Sequence, residues 1–346
     1  GQIVSIPRTK NLESLNLADI PEENYILREA EKDAIQHNKF IVFKDKARDN
    51  EAVEVWTGST NITMGGIHGQ TNVGHWVRNA AAAKKYEQYW HILSRDPGAL
   101  PADDKATKKK KRAALKESVE KLQPNIDFES WDQIPMGITP VFSPRSGGSM
   151  LETYVGMFDS AERMSCVTLA FGINKLFKDY LTDNTPANHL SLLLLEKKDT
   201  RNARSKEPFV FVGAKQNVYK AWGSYIQDDL YQWAKETTTR SMKLNMHVAY
   251  IHSKFLLVDP LTTDPVVVTG SANFSAASTN TNDENMIIIR GNTRVADIYF
   301  TEFNRLFQHY YFRAVLSDAV QIKKADKESL FLCPTDKWTE NYAEGK

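Results

Sequence analysis

Two segments of this chain carry the same motifs in the same order, and this repeat constrains the fold more than any other feature. The first reads HNKFIVF, then TGSTN, then NVGHWV, and the second reads HSKFLLV, then TGSAN, then ENMIII. We call residues 37–77 the first copy and residues 252–290 the second copy. In both, a polar residue, Asn72 or Glu284, follows the motif asparagine by eleven positions. Apolar, β-branched runs bounded by polar turns predict strands. The repeat therefore predicts a duplicated unit of strand, strand, long loop and strand.

The rest of the chain predicts an α/β fold. From residue 137 onward, runs with strand patterns alternate with runs with helix patterns, and segments such as LSLLLL and MIII are continuously apolar. Such runs are typical of strands that are buried on both faces of a mixed or parallel sheet. The strand predictions are GITPVFSP, SCVTLAF, HLSLLLLE, PFVFVG, HVAYIH, SKFLLVD, PVVVTG and ENMIIIRG; the helix predictions are SMLETYVGMFDSA, INKLFKDYLTD, SYIQDDLYQWAKET and TRVADIYFTEFNRLFQHYYFRA.

Composition excludes several classes of protein. The net charge of +1 produces no global field that would attract nucleic acid or a membrane. Two cysteines, Cys166 and Cys333, exclude a disulfide framework, and the longest apolar runs are far shorter than a membrane span. No secretory signal is visible, although the sequence begins with Gly and not Met. We expect a soluble protein, with the cytoplasm as the favoured compartment.

The domain prediction follows the repeat. We expect an N-terminal lobe over residues 1–130, which includes a basic helical segment at 103–122, and a C-terminal lobe over residues 135–346. We interpret the basic segment as a solvated helix face; an electrostatic handle for nucleic acid or anionic lipid is the alternative. Residues 1–30 are polar with two prolines and predict a linker or an irregular lead-in. Little strand–helix pattern precedes the first copy, so either the N-terminal lobe is naturally minimal or it is truncated upstream, and we favour an incomplete lobe. We expect the strands that would flank NKFIVF to be absent or supplied by other residues.

The second copy resembles the signature of the phospholipase D superfamily, His-x-Lys-x4-Asp followed by Gly-Ser-x-Asn. It matches at every position: His252, Lys254, Asp259, Gly270, Ser271 and Asn273. The first copy matches at His37, Lys39, Gly58, Ser59 and Asn61, but has Lys44 where the signature has Asp. The resemblance covers about residues 35–80 and 135–315. It implies two pseudo-twofold-related α/β lobes with mixed sheets flanked by helices, whose motifs together make one active site within one chain.

The chemistry of phosphodiester cleavage gives a reason for two copies. Without a metal, the reaction needs a nucleophile on one side of phosphorus and an acid behind the leaving oxygen. The resemblance implies that one histidine forms a phosphohistidine and the other serves as acid and then base. By analogy we assign His37 as the nucleophile and His252 as the acid/base, with no metal or cofactor. Charge on the non-bridging oxygens must also be stabilised. The candidates for this role are Lys39, Lys254, Asn61, Asn273, Ser59 and Ser271.

Three further residues have predicted supporting roles. A polar group must orient each imidazole, and Asn72 and Glu284 are the candidates, with Asn72 also a candidate substrate contact. Glu284 would favour the imidazolium form of its partner and Asn72 would not. Strand alternation places Asp259 on the face opposite His252 and Lys254, so we expect a structural role for Asp259.

The function that we predict is that of a metal-independent phosphodiesterase, with a nuclease-like or general activity slightly favoured. Lys84, Lys85 and the lysines of residues 105–112 are available to a nucleic acid substrate. Phospholipid hydrolysis is the alternative, for which the loops GGIHGQTNVGHW and NVYKAWGSY could supply an apolar mouth. A non-catalytic module that binds phosphate groups or nucleic acid is a second alternative.

Overall fold

The structure is a computed structural model. It describes residues 6–29, 34–124, 126, 133–147, 149–170, 172–184, 189–200, 209–223 and 250–321.

The described residues form two β-sheets flanked by helices, which confirms the predicted mixed α/β fold. The strands are β1 (Phe40–Asp45), β2 (Glu51–Gly58), β3 (Gly74–Val77), β4 (Gly137–Ser143), β5 (Met164–Leu169), β6 (Leu190–Leu195), β7 (Val218–Trp222), β8 (Phe255–Val258), β9 (Val266–Gly270) and β10 (Glu284–Arg290). A three-stranded antiparallel sheet has the order β1-β2-β3. A seven-stranded sheet has the order β4-β10-β9-β8-β5-β6-β7 and is mixed, because β6 pairs in parallel with β5 and β7.

Eight α-helices surround these sheets in the part of the chain that is described. They are α1 (Ile6–Leu17), α2 (Met64–His68), α3 (Ala80–Arg95), α4 (Lys105–Leu122), α5 (Ser149–Asp159), α6 (Lys175–Leu181), α7 (Ala276–Asn280) and α8 (Thr293–Gln321). Side-chain caps fix several of the helix starts. The Asn79 and Asp104 side chains accept hydrogen bonds from backbone N–H groups in the first turns of α3 and α4. None of the described helices combines the length and the apolarity that a membrane crossing requires.

The two copies contribute matching strands to one core. The sequence order of β1, β2, β3 and α3 in the first copy repeats as β8, β9, β10 and α8 in the second. One face of each sheet packs into a shared cluster with the buried side of these two helices. The cluster includes Val55, Val77, Tyr86 and Tyr89 from the first copy and α3, and Phe255, Leu257, Ile287 and Phe303 from the second copy and α8. This shared core is what brings the two motif copies together.

The opposite faces of the two sheets differ. In the large sheet, α5 and α6 cover Leu256, Val258 and Ile288 in a second core. The positions that match Leu256 and Ile288 in the first copy are Ile41 and Trp76, which are 46% and 57% exposed. Among the described residues β1 pairs in its sheet only with β2. The lobe boundaries and the pseudo-twofold relation stay predictions.

Three expectations about local structure need correction or fall outside the described residues. Residues 6–17 form α1, so the prediction of an irregular lead-in was wrong there; Pro7 lies in the first turn, where its missing N–H is tolerated. Residues 209–213 of PFVFVG are not a strand, and the strand that pairs with β6 is β7, after a turn in which Asn217 adopts a left-handed conformation. The predicted helix SYIQDDLYQWAKET and the first three residues of HVAYIH lie outside the described residues. The last three, Tyr250 to His252, form only an isolated bridge at Ile251 and not the predicted strand.

Candidate active site

Each His-x-Lys segment is held by the backbone of the other copy. The backbone N–H of His37 donates to the carbonyl of Asp283 at 3.0 Å, and that of His252 donates to the carbonyl of Thr71 at 3.1 Å. Asp283 and Thr71 are the residues just before Glu284 and Asn72. The two imidazole rings consequently lie close together, with their centroids 6.5 Å apart and their planes at 75°.

Each imidazole is oriented by the polar residue of the other copy. His37 Nδ1 lies 2.7 Å from Glu284 Oε2, and His252 Nδ1 lies 2.8 Å from Asn72 Oδ1. The Asn72 amide is itself oriented, because its Nδ2 donates to the carbonyl of Gly66 at 2.8 Å. Both Nδ1 atoms therefore face acceptors and carry protons. The other nitrogen, Nε2, is the basic atom of each neutral ring.

The motif serines lie behind these orienting groups. Ser59 Oγ donates to Asn72 Oδ1 at 2.9 Å, and Ser271 Oγ donates to Glu284 Oε2 at 2.8 Å. Both serines are fully buried. We expected the two serines and Asn72 to contact substrate; the structure places the serine hydroxyls against Asn72 and Glu284, and Asn72 against His252.

The motif glycines allow the strands to approach closely enough for this arrangement. A Cβ at Gly58 would lie 2.0 Å from the carbonyl oxygen of Val73, and one at Gly270 would lie 2.2 Å from that of Asn285. Any larger residue would separate β2 from β3, or β9 from β10, and move the serine that follows. The glycines are therefore required for close packing.

The two lysines bring positive charge into a largely buried site. Lys39 Nζ donates to the carbonyl of His37 at 2.6 Å, and Lys254 Nζ donates to that of His252 at 2.5 Å. Burial lowers the pKa of Lys39 to about 8, although the charge of Glu284 opposes this effect. Lys254 is only 1% exposed, and burial lowers its pKa well below the usual value for lysine.

The same positive charge acts on His252. Burial lowers the pKa of this imidazole to about 2, with further lowering from Lys254, Lys39 and His37. His252 is therefore neutral in the free protein near pH 7. Two lysines face one orienting carboxylate, Glu284, so the cluster holds more groups that can carry positive charge than groups that carry negative charge. A site with this balance favours an anion.

Each motif asparagine begins a three-residue turn that follows the second strand of its copy. The backbone carbonyl of Asn61 accepts from Thr63, and that of Asn273 accepts from Ser275, each at 2.8 Å. Both side chains are partly exposed. The Oδ1 atom of Asn273 is buried and has no hydrogen-bond partner among the described residues.

Asp259 lies away from the histidines and Lys254. Its carboxylate accepts three backbone N–H groups, from Glu162, Arg163 and Met164, at 2.8 to 2.9 Å. These bonds fix the turn that leads into β5. The first copy has no such turn beside β1 in the described residues, and Lys44 there pairs with Glu87 of α3 at 2.5 Å. The Asp-to-Lys difference between the copies therefore does not change the contacts of the paired histidines.

Comparison with known proteins agrees with the site. The family model described as "Cardiolipin synthase, PLD-like domain" matches residues 194–307, which include the whole second copy. That part of the chain is therefore similar to the phospholipase D-like domain that the motifs of the second copy predicted. A search of curated proteins finds no match.

Several solved structures are similar to the chain. Nuc from Salmonella typhimurium, a phospholipase D family member, is 15% identical, with 49% of this chain and 93% of that chain covered and a TM-score of 0.33. Phosphatidylserine synthase from Haemophilus influenzae Rd KW20 is 14% identical, with 83% and 69% covered and a TM-score of 0.48. Polyphosphate kinase from Porphyromonas gingivalis is 8% identical, with 86% and 38% covered and a TM-score of 0.47.

A buried ion network beside the superfamily motifs was not predicted. Asp283 pairs with Arg28 and with Arg112 of α4, and Arg28 also pairs with Asp96. Since the Asp283 carbonyl holds His37, this network ties the basic helix to the site. No sequence signal connects residues so far apart. Arg112 is thus an internal ion-pair partner, whereas we had read the whole basic segment as a solvated face.

Proposed function

We propose that the protein is a metal-independent phosphodiesterase that works through a phosphohistidine on His37. The observation that carries this proposal is the pair of facing imidazoles, whose centroids are 6.5 Å apart and whose Nδ1 atoms are both held by acceptors. A phosphorus atom between two nitrogens needs roughly 3 to 3.5 Å on each side. The spacing of His37 and His252 suits that geometry.

The environment of His37 supports its assignment as the nucleophile. An imidazole that bonds to phosphorus through Nε2 while Nδ1 keeps its proton becomes cationic. Glu284, 2.7 Å from His37 Nδ1, offsets that charge directly. His252 has the neutral amide of Asn72 in the same place. The carboxylate therefore favours His37 as the ring that carries the phosphoryl group.

The reaction takes two steps. In the first, His37 Nε2 attacks phosphorus, the P–N bond forms, the bond from phosphorus to the leaving alcohol oxygen breaks, and His252 Nε2 donates its proton to that oxygen. In the second, His252 Nε2 accepts a proton from water, the water oxygen attacks phosphorus, and the P–N bond breaks. A phosphate monoester leaves and both rings return to their starting states.

Lys39 and Lys254 supply the charge that a metal ion supplies in other phosphodiesterases. Charge on the non-bridging oxygens grows in the transition state, and fixed buried cations stabilise it without reorganisation. Asn61 and Asn273 can donate amide hydrogens to the same oxygens. Bound phosphate in turn offsets the lysine charge at His252, which allows that ring to hold the proton that it must donate.

Two surfaces support the two candidate substrate classes. Helix α4 exposes Lys105, Lys109 and Lys110, a charge pattern that favours nucleic acid. Ile62, directly after Asn61, and Ile67, in α2, are 72% and 54% exposed, which favours an apolar or lipid surface. A nuclease-like or general phosphodiesterase remains the proposal, with phospholipid hydrolysis as the alternative.

Hydrolysis of bis(p-nitrophenyl) phosphate in EDTA tests the reaction. We expect release of p-nitrophenol by the wild type and by a His309→Ala control, since His309 is exposed on α8. We expect a loss of at least a thousandfold in His37→Ala and in His252→Ala. Full activity in either variant, or a requirement for divalent metal, would contradict the mechanism. Phosphate binding without turnover would support the non-catalytic alternative.

Two further measurements settle roles and substrate. Protein denatured with SDS at alkaline pH, where a phosphohistidine is stable, after treatment with a radiolabelled diester should carry label on His37; label on His252 would reverse the assignment. Side-by-side assays with single-stranded DNA, duplex DNA, RNA and phosphatidylcholine vesicles rank the substrates. If nucleic acid is the substrate, Lys109→Glu should raise its KM and Ile62→Ser should not; lipid hydrolysis predicts the reverse.

A further inference from the structure

A cavity of about 370 Å³ lies beside the first copy and is distinct from the space between the paired imidazoles. Gln36 and Asn38, the chain neighbours of His37, both line it, and neither motif histidine is among the described residues that do. Side chains alternate along a segment that runs into a strand, so Gln36 and Asn38 point away from the side on which His37 meets Glu284. The volume of the cavity is within the range of small-molecule sites.

Aromatic side chains from three parts of the chain form the apolar walls of the cavity. Tyr25 precedes β1, Phe40 is the first residue of β1, and Trp90 is on α3. Phe40 is held by the rings of Tyr86 and Tyr89, whose centroids are 5.2 and 6.0 Å from its own. Trp90 is 46% exposed. A flat ring that enters the cavity therefore has an accessible indole on which to stack.

The polar groups of the cavity offer two donors and an acceptor. Arg28 has five N–H donors, of which Asp96 and Asp283 accept three. One donor on Nη1 and one on Nη2 are unpaired among the described residues. Gln36 Nε2 donates to the carbonyl of Arg28 at 3.3 Å, which leaves Gln36 Oε1 as an acceptor. The Arg28 side chain is 11% exposed, so its two unpaired donors gain from a ligand that brings acceptors.

This combination fits a nucleobase. A hydrocarbon chain would cover the aromatic walls but would leave the donors of Arg28 unpaired. A base has flat faces for stacking and an edge of hydrogen-bonding groups. Guanine presents two neighbouring acceptors, N7 and O6, which an arginine contacts through two N–H groups. Adenine has an amino donor where guanine has O6, and that donor would oppose the donors of Arg28.

Positive charge beside the cavity suits the phosphate of a nucleotide. Asp283, which lines the cavity, pairs with Arg112 of α4. Lys108 and Lys105 precede Arg112 by about one and two turns on the same face of this helix. Basic side chains therefore continue along α4 from the ion network of the cavity, and they attract a phosphate that is attached to a bound base.

We propose that this cavity is a nucleobase site that prefers guanine, separate from the site of phosphodiester cleavage. The base stacks on Trp90, and its two acceptors receive the unpaired donors of Arg28. The base belongs either to a free nucleotide or to single-stranded nucleic acid, which share this chemistry. Because binding is measured without turnover, the inference does not rest on the proposed function.

Calorimetry with GMP, AMP and ribose 5-phosphate tests base recognition. The three ligands carry the same phosphate, and tungstate is present to occupy the anion site between the lysines. We expect the Kd of GMP to be at least fivefold below that of AMP and of ribose 5-phosphate. Trp90→Ala should raise the Kd of GMP at least fivefold, and Ser94→Trp, which fills the cavity from α3, at least tenfold. Trp76→Ala is the matched control, because Trp76 is 57% exposed on β3 outside the cavity, and should leave the Kd unchanged.

The source of the base follows from a second titration. A single-stranded oligothymidylate with one central guanine is compared with GMP in His252→Ala, which blocks turnover. Tighter binding of the oligonucleotide would support a nucleic acid strand as the ligand, and tighter binding of GMP would support a free nucleotide.

The outcomes separate this inference from the proposed function. Equal Kd values for GMP and AMP, equal values for GMP and ribose 5-phosphate, or a Kd unchanged in both cavity variants would overturn the base site. Displacement of GMP by tungstate would place GMP between the histidines and would also overturn it. Release of p-nitrophenol without GMP binding leaves the phosphodiesterase standing alone, and GMP binding without release leaves the base site standing alone. If Ser94→Trp does not fold, Trp90→Ala alone decides.

Discussion

Binding of an oxyanion should make the site take up a proton at His252. In the free protein the pKa of this imidazole is about 2, because the ring is buried and faces the charges of Lys254 and Lys39. The same ring must hold a proton to act as the acid. Binding of an anion between the lysines and the ring is the step of the reaction that offsets the positive charge acting on His252.

The size of the effect follows from Coulomb's law. A unit negative charge about 4 Å from the ring, at an effective dielectric constant of about 20, contributes about 4 kcal/mol. That energy corresponds to a rise of about 3 in pKa. A monoanion would therefore raise the pKa of His252 to about 5, and a dianion to about 8. At pH 6, His252 should be protonated in about a tenth of the protein molecules that bind a diester, and in nearly all of those that bind a dianion.

Calorimetry measures this uptake. Tungstate, a dianion, is titrated into the protein at pH 6 in buffers with different ionisation enthalpies, and the slope of the observed enthalpy gives the protons taken up. We expect about one proton per site in the wild type and close to none in His252→Asn. Lys39, with a pKa of about 8, is already protonated at pH 6 and contributes little.

Two results would refute the reasoning. Tungstate that binds tightly without proton uptake would show that the lysine field does not control His252. Uptake that persists in His252→Asn would place the titrating group elsewhere, with Lys254 the next candidate because burial also lowers its pKa.

Four further predictions concern single residues. Glu284→Gln removes the carboxylate that holds an imidazole Nδ1 at 2.7 Å and should lower kcat/KM about 10- to 100-fold; a change below threefold would contradict its role. Because Lys39 loses its charge as the pH rises through about 8, kcat/KM should fall above that pH, and in Lys39→Arg the fall should move to higher pH. The pKa of Lys254 is lower in the folded protein than in the unfolded protein. Protonation of this side chain therefore opposes folding below about pH 10. Lys254→Met should therefore raise the free energy of unfolding at pH 7 by about 1 to 3 kcal/mol while activity is lost; a lower melting temperature would show that the ammonium is needed for folding. Asp259→Ala should lower the free energy of unfolding by about 3 kcal/mol, against less than about 1 kcal/mol for Lys44→Met, in denaturant titrations; equal losses would mean that the capped turn contributes nothing.

The elements with strong local patterns were predictable from the sequence. The strands that follow each His-x-Lys and the amphipathic helix α3 carry their own periodicity and caps. Strand β7 was missed because its register depends on β6, and a pairing partner leaves no mark in the local pattern of VYKAW. Helix α1 was missed because Pro7 reads as a breaker unless the helix start is known.

The candidate site was predictable as a set of residues and not as a set of contacts. Spacing selects Asn72 and Glu284 as the orienting groups, but it cannot say which histidine each one holds. The structure pairs them across the copies, since each imidazole segment bridges to the other copy. The network of Asp283 with Arg28 and Arg112 is set by tertiary contacts alone and has no local signature.

The first copy has Asn72 where the second copy has Glu284, and this difference explains how a duplicated unit makes two different histidines. Glu284 favours the charged forms of Lys39 and Lys254, and an amide in its place would not supply this effect. A second carboxylate in place of Asn72 would hold a proton on His252 before substrate arrives and would offset the charge that attracts the phosphate. One carboxylate therefore leaves His37 with a stabilised cationic intermediate, and leaves His252 neutral until an anion binds. This one difference between matched positions is enough to give His37 the role of nucleophile and His252 the role of acid.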